Sequence, residues 1–188
     1  MNLASAPKQA DSDERKKRYV EAANDYQKAI ELLEKKPKDP KASPPNQDLA
    51  GYYNNLAHAQ SKSGKLDDAV HSYNRALELD PGGSAQYNYN LGAILMNAGR
   101  ADEAIAAFDK AIAADPTKAD AYFQKGSSLV AKATANVNGK ITAPPGTAEA
   151  LNKYLELAPT GQFAEPAKSM IRMIGGTIET NYMQRKKK

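Results

Sequence analysis

A fixed period constrains this chain more than any other feature: the segment Gly64-Lys65-Leu66-Asp67-Asp68-Ala69-Val70 returns 35 residues later as Gly99-Arg100-Ala101-Asp102-Glu103-Ala104-Ile105. The continuations correspond as well. Tyr73, Ala76 and Pro81 fall on Phe108, Ala111 and Pro116, and upstream Leu56 and Ala57 fall on Leu91 and Gly92. One position breaks the match: Tyr53 stands opposite Asn88, where Tyr87 and Tyr89 on either side can supply a ring nearby. A period between about 20 and 50 residues marks a repeat architecture, in which one copy cannot bury its apolar face alone and stacking of copies does so.

Within each copy the apolar residues fall at helical spacing in two runs, 50–62 and 66–79, then 85–97 and 101–114. Gly64 and Gly99 separate the runs, and a glycine there accepts the left-handed backbone that ends a helix, so each copy is expected to be helix, tight turn, helix. Asp80-Pro81 and Asp115-Pro116 close the copies. Small residues at Ala69, Ala76, Ala104 and Ala111 let the second helix approach the first. Tyr73 or Phe108 is expected to fill the gap between neighbouring units.

A third copy opens at Ala119 with Tyr122, Gly126 and Leu129 in place, then gives way to an insertion over Ala133 to Gly146. Asn138-Gly139 is a tight-turn signal and Pro144-Pro145-Gly146 a rigid break. A second helix is expected to resume near Thr147, where Ala150 and Tyr154 restore the repeat spacing. Pro159-Thr160-Gly161 ends it, and Glu165-Pro166 opens a last helix to about Ile174, with Met170, Ile171 and Ile174 as its apolar stripe. The units are therefore placed at 50–83, 85–118 and 119–160, with a cap helix at 163–174 and a flexible basic tail at 175–188.

Ahead of the repeats, Asp13 to Lys36 reads as one helix with Tyr19, Ala22, Tyr26, Ala29, Ile30 and Leu33 on a shared face. Its Ala22, Tyr26, Ala29 spacing copies the second helix of a repeat, yet Met1 to Ser12 is polar, has no apolar period and is expected to be flexible. Either the chain is part of a longer one, or this end of the stack is open to another molecule. Pro37 to Asp48, with Pro37, Pro40, Pro44 and Pro45, is expected as a stiff connector.

These residues resemble the tetratricopeptide repeat, whose pattern is an aromatic, then Leu-Gly, a later Gly, Ala, an aromatic, Ala and a terminal Pro. The resemblance covers 13–174 and is densest over 50–116. It implies an all-α, right-handed superhelical solenoid of antiparallel helix pairs, with an extra N-terminal helix and a C-terminal capping helix, and a non-enzymatic role as a scaffold that binds a protein or peptide. In such a stack the first helices line the concave surface. The residues facing the groove are then expected to be Asn54, Asn55, His58 and Lys62 in the first unit, Tyr89, Asn90 and Asn97 in the second, and Phe123, Gln124 and Ser127 in the third. Asn55, Asn90 and Gln124 stand at matching places, and a ladder of side-chain amides can hydrogen-bond an extended peptide's backbone through both donor and acceptor. Family members that hold chaperone C-termini use a clamp of Lys, Asn and Arg around a carboxylate. The matching places in the third unit carry Asp120 and Gln124, so a chaperone tail is not the expected ligand.

Two further readings rest on the open end and on charge. An uncapped first end can receive the terminus of a sister chain, which would make the protein self-assembling. The basic stretches Arg15-Lys16-Lys17-Arg18 and Arg185 to Lys188 can meet an anionic polymer or lipid, although the formal net charge of +4 is matched by the last four residues alone and nucleic acid is not an expected partner.

Catalytic and cofactor chemistry finds no foothold. The absence of cysteine excludes disulfides, thiolate metal sites and a cysteine nucleophile. His58 and His71 are the only histidines and fall on different helices of one unit, so no metal and no cofactor is expected. Gly82-Gly83-Ser84 lacks the lysine and the preceding strand of a phosphate loop. Asp67-Asp68 and Asp102-Glu103 sit in the first turns of second helices, where they complement the helix dipole. No apolar run approaches the roughly 20 residues of a membrane span, and Met1 to Ala10 lacks a signal peptide's apolar stretch. A soluble protein is expected, cytoplasmic or exported after removal of an upstream signal.

Overall fold

The computed structural model describes residues 6–35, 45–135 and 141–175. Among them the chain forms α1 (Ala6–Lys35), α2 (Pro45–Ser63), α3 (Leu66–Leu79), a 3-10 turn at Pro81–Gly83, α4 (Ser84–Asn97), α5 (Ala101–Ala114), α6 (Ala119–Val130), β1 (Thr134–Ala135), β2 (Ile141–Thr142), α7 (Thr147–Leu157) and α8 (Ala164–Met173). The all-α class expected from the sequence is the class observed, with paired helices joined as hairpins. The chain divides into two compact bodies, Met1–Gly83 and Ser84–Lys188.

Two helix starts fall earlier than the sequence suggested. α1 begins at Ala6 instead of Asp13, because Pro7 in an opening turn gives up an N–H that would have had no partner there, and Lys8, Gln9 and Ala10 are good helix formers without needing an apolar stripe. For the same reason α2 opens on Pro45, inside the stretch read as connector. Residues 36–44, and the tail from 176 onward, lie outside the described residues.

In the first body α1 packs on α2 through Ala23, Ile30, Leu56 and Ala59, with Tyr19, Ala22, Tyr26, Leu49 and Tyr53 at the margins. Tyr53 donates its hydroxyl to Glu34 at 3.1 Å, and the Arg75 guanidinium lies 5.8 Å from its ring centre. The α2–α3 turn is made by Gly64 at φ +91°, with Lys65 N–H donating to Gln60 O at 2.8 Å. Across that turn Ser72 donates to Gln60 Oε1 at 2.7 Å, while Ala69, Tyr73 and Ala76 bury the inner stripe of α3.

The second body repeats the device at Gly99 (φ +76°), where Arg100 N–H donates to Leu95 O at 2.9 Å. α4 and α5 meet where a Cβ on Gly92 would stand 2.6 Å from Phe108 Cε1, so the ring occupies the space that only glycine leaves. Phe108 thus fills the inside of its own hairpin. α6 and α7 meet in the same way, with Leu151 Cδ2 placed 2.7 Å from a Cβ built on Gly126.

Within the insertion, β1 and β2 pair antiparallel with Thr134 opposite Thr142 and Ala135 opposite Ile141; the Asn138-Gly139 turn lies outside the described residues. Lys132 at its base pairs with Asp102 on α5. α7 then starts where Thr147, 1% exposed, donates its hydroxyl to Pro144 O at 2.5 Å. The core below joins Phe123, Leu151, Tyr154, Leu155, Ala164, Ala167 and Ile171, each buried Leu or Ile contributing about 1.5–3 kcal/mol. Phe163 stacks on Phe123 at 4.3 Å, and its N–H donates to the Tyr154 hydroxyl at 2.9 Å. α8 lies on α7 and touches α6, just as α6 lies on α5 and touches α4. It therefore holds the place of a first helix, and no second helix follows it among the described residues.

Candidate functional site

The residues expected to face a partner lie on first helices, so the site is described helix by helix within each body. On α4 and α6 a polar network forms around Tyr89. Gln86 donates from Nε2 to Asn90 Oδ1 at 2.8 Å, one helical turn apart, and the Lys118 ammonium donates to Gln86 Oε1 at 2.8 Å. The same ammonium stands 5.1 Å from the centre of the Tyr89 ring, which also meets Phe108 at 6.0 Å. Burial pushes the Tyr89 phenol above its ordinary range; its hydrogen bond with Gln124 pulls the other way, and the charge of Asp120 adds to the rise. Tyr89, Asn90 and Gln124 are thereby brought into one half-buried cluster.

Two other expected members stand apart from it. Asn97 is exposed at the end of α4. Ser127 is half-buried, and its carbonyl accepts the Ala131 N–H at 3.0 Å. Phe123 requires correction. It is 6% exposed and stacked in the core with Phe163 and Tyr154, so it faces no partner. The neighbouring Tyr122 keeps the half-buried position at the rim.

Gln86 and Lys118 are the members that the sequence reading missed. Gln86 was legible as the i, i+4 partner of Asn90. Lys118 follows Asp115-Pro116 in a connection where helical periodicity says nothing about direction. That connection is itself tight: Thr117 donates its N–H and its hydroxyl to Asp115 Oδ1 at 2.9 and 2.6 Å.

In the first body the expected residues lie along α2. Asn54 donates to Asn55 Oδ1 at 3.1 Å, and Asn55 itself is exposed. The exposed His58 ring meets the edge of Tyr19 on α1 at 6.1 Å. Burial against that ring, and then the nearby charge of Lys62, lower its pKa from the ordinary histidine value. The three amides are thus unequal, since Asn55 is exposed while Asn90 and Gln124 are half-buried and already engaged.

Asn88, in the slot where the first unit has Tyr53, is 5% exposed and donates from Nδ2 to Ser84 O at 2.9 Å. Its Oδ1 accepts no hydrogen bond among the described residues, a loss of about 1–3 kcal/mol for a buried acceptor. Tyr89 supplies the ring that this slot lacks, resting on Phe108. Among the described residues no group of three or more His, Asp and Glu is placed to hold a metal ion. A cleft of about 280 Å³ between the insertion and the end of α8, lined by Ile141, Pro144, Thr147 and Ile174 among others, holds one ionisable side chain, Glu149. No described helix is long and apolar enough to cross a membrane.

Residues 54–119 match the family model of the tetratricopeptide repeat. Among solved structures the chain is similar to the Arabidopsis OM64 TPR domain, with 22% identity over 68% of this chain and 97% of that one and a TM-score of 0.55. It is similar to MamA, with 20% identity over 87% and 90% of the two chains and a TM-score of 0.55. A third is YrrB, described as a TPR protein with an unusual peptide-binding site, at 22% identity, 80% and 73% coverage and a TM-score of 0.52. At these identities the likeness is one of fold. No curated protein matches the chain.

Proposed function

Since this chain is a tetratricopeptide-repeat domain protein, we propose that it is a non-enzymatic scaffold whose first helices hold an extended peptide segment of a partner protein. The fold is one of protein–protein interaction scaffolds. The observation that carries the finer reading is the α4–α6 cluster, in which Tyr89 offers a ring face under a cation and Asn90 and Gln124 offer amides on either side. Each internal hydrogen bond there is worth about 1 kcal/mol net, so a peptide's N–H and C=O groups can replace it at little cost. Asn97 and Ser127 extend that face along the two helices, and Asn54, Asn55, His58 and Lys62 form the corresponding face on α2. The YrrB peptide site is a precedent for this fold carrying such a ligand.

Affinity capture from the native cell supplies the test. Asn90→Ala with Gln124→Ala is expected to abolish recovery of the partner and leave the helical signal and the melting temperature unchanged. Undiminished recovery by that double variant would reject the reading.

A further inference from the structure

We propose that the partner segment held on α4 and α6 carries an acidic and a basic side chain two residues apart, the acid on Lys118 and the base on Asp120. The selection rests on the reading of those helices as a peptide face and says what that face admits. The Lys118 ammonium has three N–H donors, and the groups it meets are neutral: Gln86 Oε1 at 2.8 Å and the Tyr89 ring at 5.1 Å. Asp115 feels the Lys118 charge, but its Oδ1 is taken by the Thr117 hydroxyl and N–H at 2.6 and 2.9 Å. Among the described residues neither Lys118 nor Asp120 forms an ion pair, and both are half-buried.

The repeat register places the second charge. Counted from the notch glycines Gly92 and Gly126, Gln86 and Asp120 both stand six residues back, and Asn90 and Gln124 both stand two back. On α4 that pair is neutral, with Gln86 donating to Asn90 at 2.8 Å. On α6 its first member is a carboxylate in the opening turn. The Asp120 charge acts on the same Tyr89 phenol to which Gln124 is bonded, so one ring lies between a cation and an anion. Lys118 and Asp120 are two residues apart at the start of α6. Side chains two apart on an extended peptide lie on one face, about 7 Å from each other, so a single strand-like segment can meet both charges. A segment of acids alone would set a carboxylate against Asp120, and a wholly basic one an ammonium against Lys118; each mismatch is a repulsion that a half-buried site screens poorly.

The test selects random dodecapeptides displayed on phage against the full chain, then measures the winners, made with acetylated and amidated ends, by fluorescence anisotropy. Sequences carrying Asp or Glu two residues from Lys or Arg are expected. Replacing the peptide's acid by its amide should weaken binding to the wild type about fivefold, and leave binding to Lys118→Met nearly unchanged. Replacing its base by Met should do the same for the wild type against Asp120→Asn. A peptide with the acid and base exchanged should also bind about fivefold more weakly or worse, a comparison that needs no protein variant. Winners that lose affinity in Asn90→Ala with Gln124→Ala but lack the charge pair, or whose acid counts equally in Lys118→Met, overturn the proposal and leave the peptide face standing. Selection of no peptide, or of peptides indifferent to that double variant, overturns both.

Discussion

The hairpins α4–α5 and α6–α7 are held by the same contact and joined in different ways. In both, a glycine on the first helix leaves a notch that a large side chain of the second helix enters, Phe108 at Gly92 and Leu151 at Gly126. Gly99 turns the first hairpin directly, with Arg100 N–H donating back to Leu95 O. The second is interrupted by the β1–β2 ribbon and restarts at Thr147. The difference teaches that close helix approach, and not the connecting turn, defines the pair, so the repeat survives an insertion that removes its turn signal.

The largest effects should come from emptying the notches. Phe108→Ala is expected to cost about 3–5 kcal/mol and Leu151→Ala about 2–5 kcal/mol, measured by urea unfolding, because each leaves a cavity under a fixed backbone. Filling a notch should cost less. Gly92→Ala gains helix propensity but drives Phe108 aside, for a net loss of about 1–2 kcal/mol, and Phe108→Leu in the same chain should recover part of it. Strict additivity of the two substitutions would break the claim that the notch holds the hairpin together.

What the sequence made legible follows the same division. The 35-residue period, the turn glycines and the Ala-aromatic-Ala stripes were readable because the close approach allows few residue types at those places. Phe123 was misplaced because Tyr122 beside it also fits an aromatic slot, and one residue on a helix is a rotation of about 100°. The cluster at Tyr89 was half legible: the amides lie on the helical period, while Lys118 reaches it from a connection. The early starts of α1 and α2 went unread because a solvent-facing turn needs only propensity and leaves no apolar trace.

If the turn mattered as much as the notch, Gly99→Ala would rival Gly92→Ala. Gly99 sits at φ +76° with open space around its Cα, so the alanine variant should pay only the left-handed backbone strain of about 1 kcal/mol, seen as a small fall in the urea midpoint. A loss exceeding that of Gly92→Ala would return the defining role to the turn. The Lys132–Asp102 pair, which ties the insertion to α5, is exposed and should be weaker still: Lys132→Ala is expected to cost about 0.5 kcal/mol, less in high salt.

The smallest effect distinguishes the ends of the two hairpins. α5 finishes at Asp115, whose carboxylate accepts both Thr117 bonds, whereas α7 finishes at Ala158 before the similar Pro159-Thr160 and has no carboxylate to do this. The Thr117 hydroxyl and then the Thr117 N–H hold the Asp115 carboxyl below its ordinary value of 3.8, with the charge of Lys118 acting the same way. A depressed carboxyl stabilises the fold above its unfolded-state pKa, and that contribution fades as pH falls through the lower folded-state value. Asp115→Ala should therefore lower the melting temperature slightly at neutral pH and make no difference once the wild-type carboxyl is protonated. A deficit that persists unchanged in strong acid would mean that the side chain acts through packing, and the two hairpin ends would then differ in shape instead of charge.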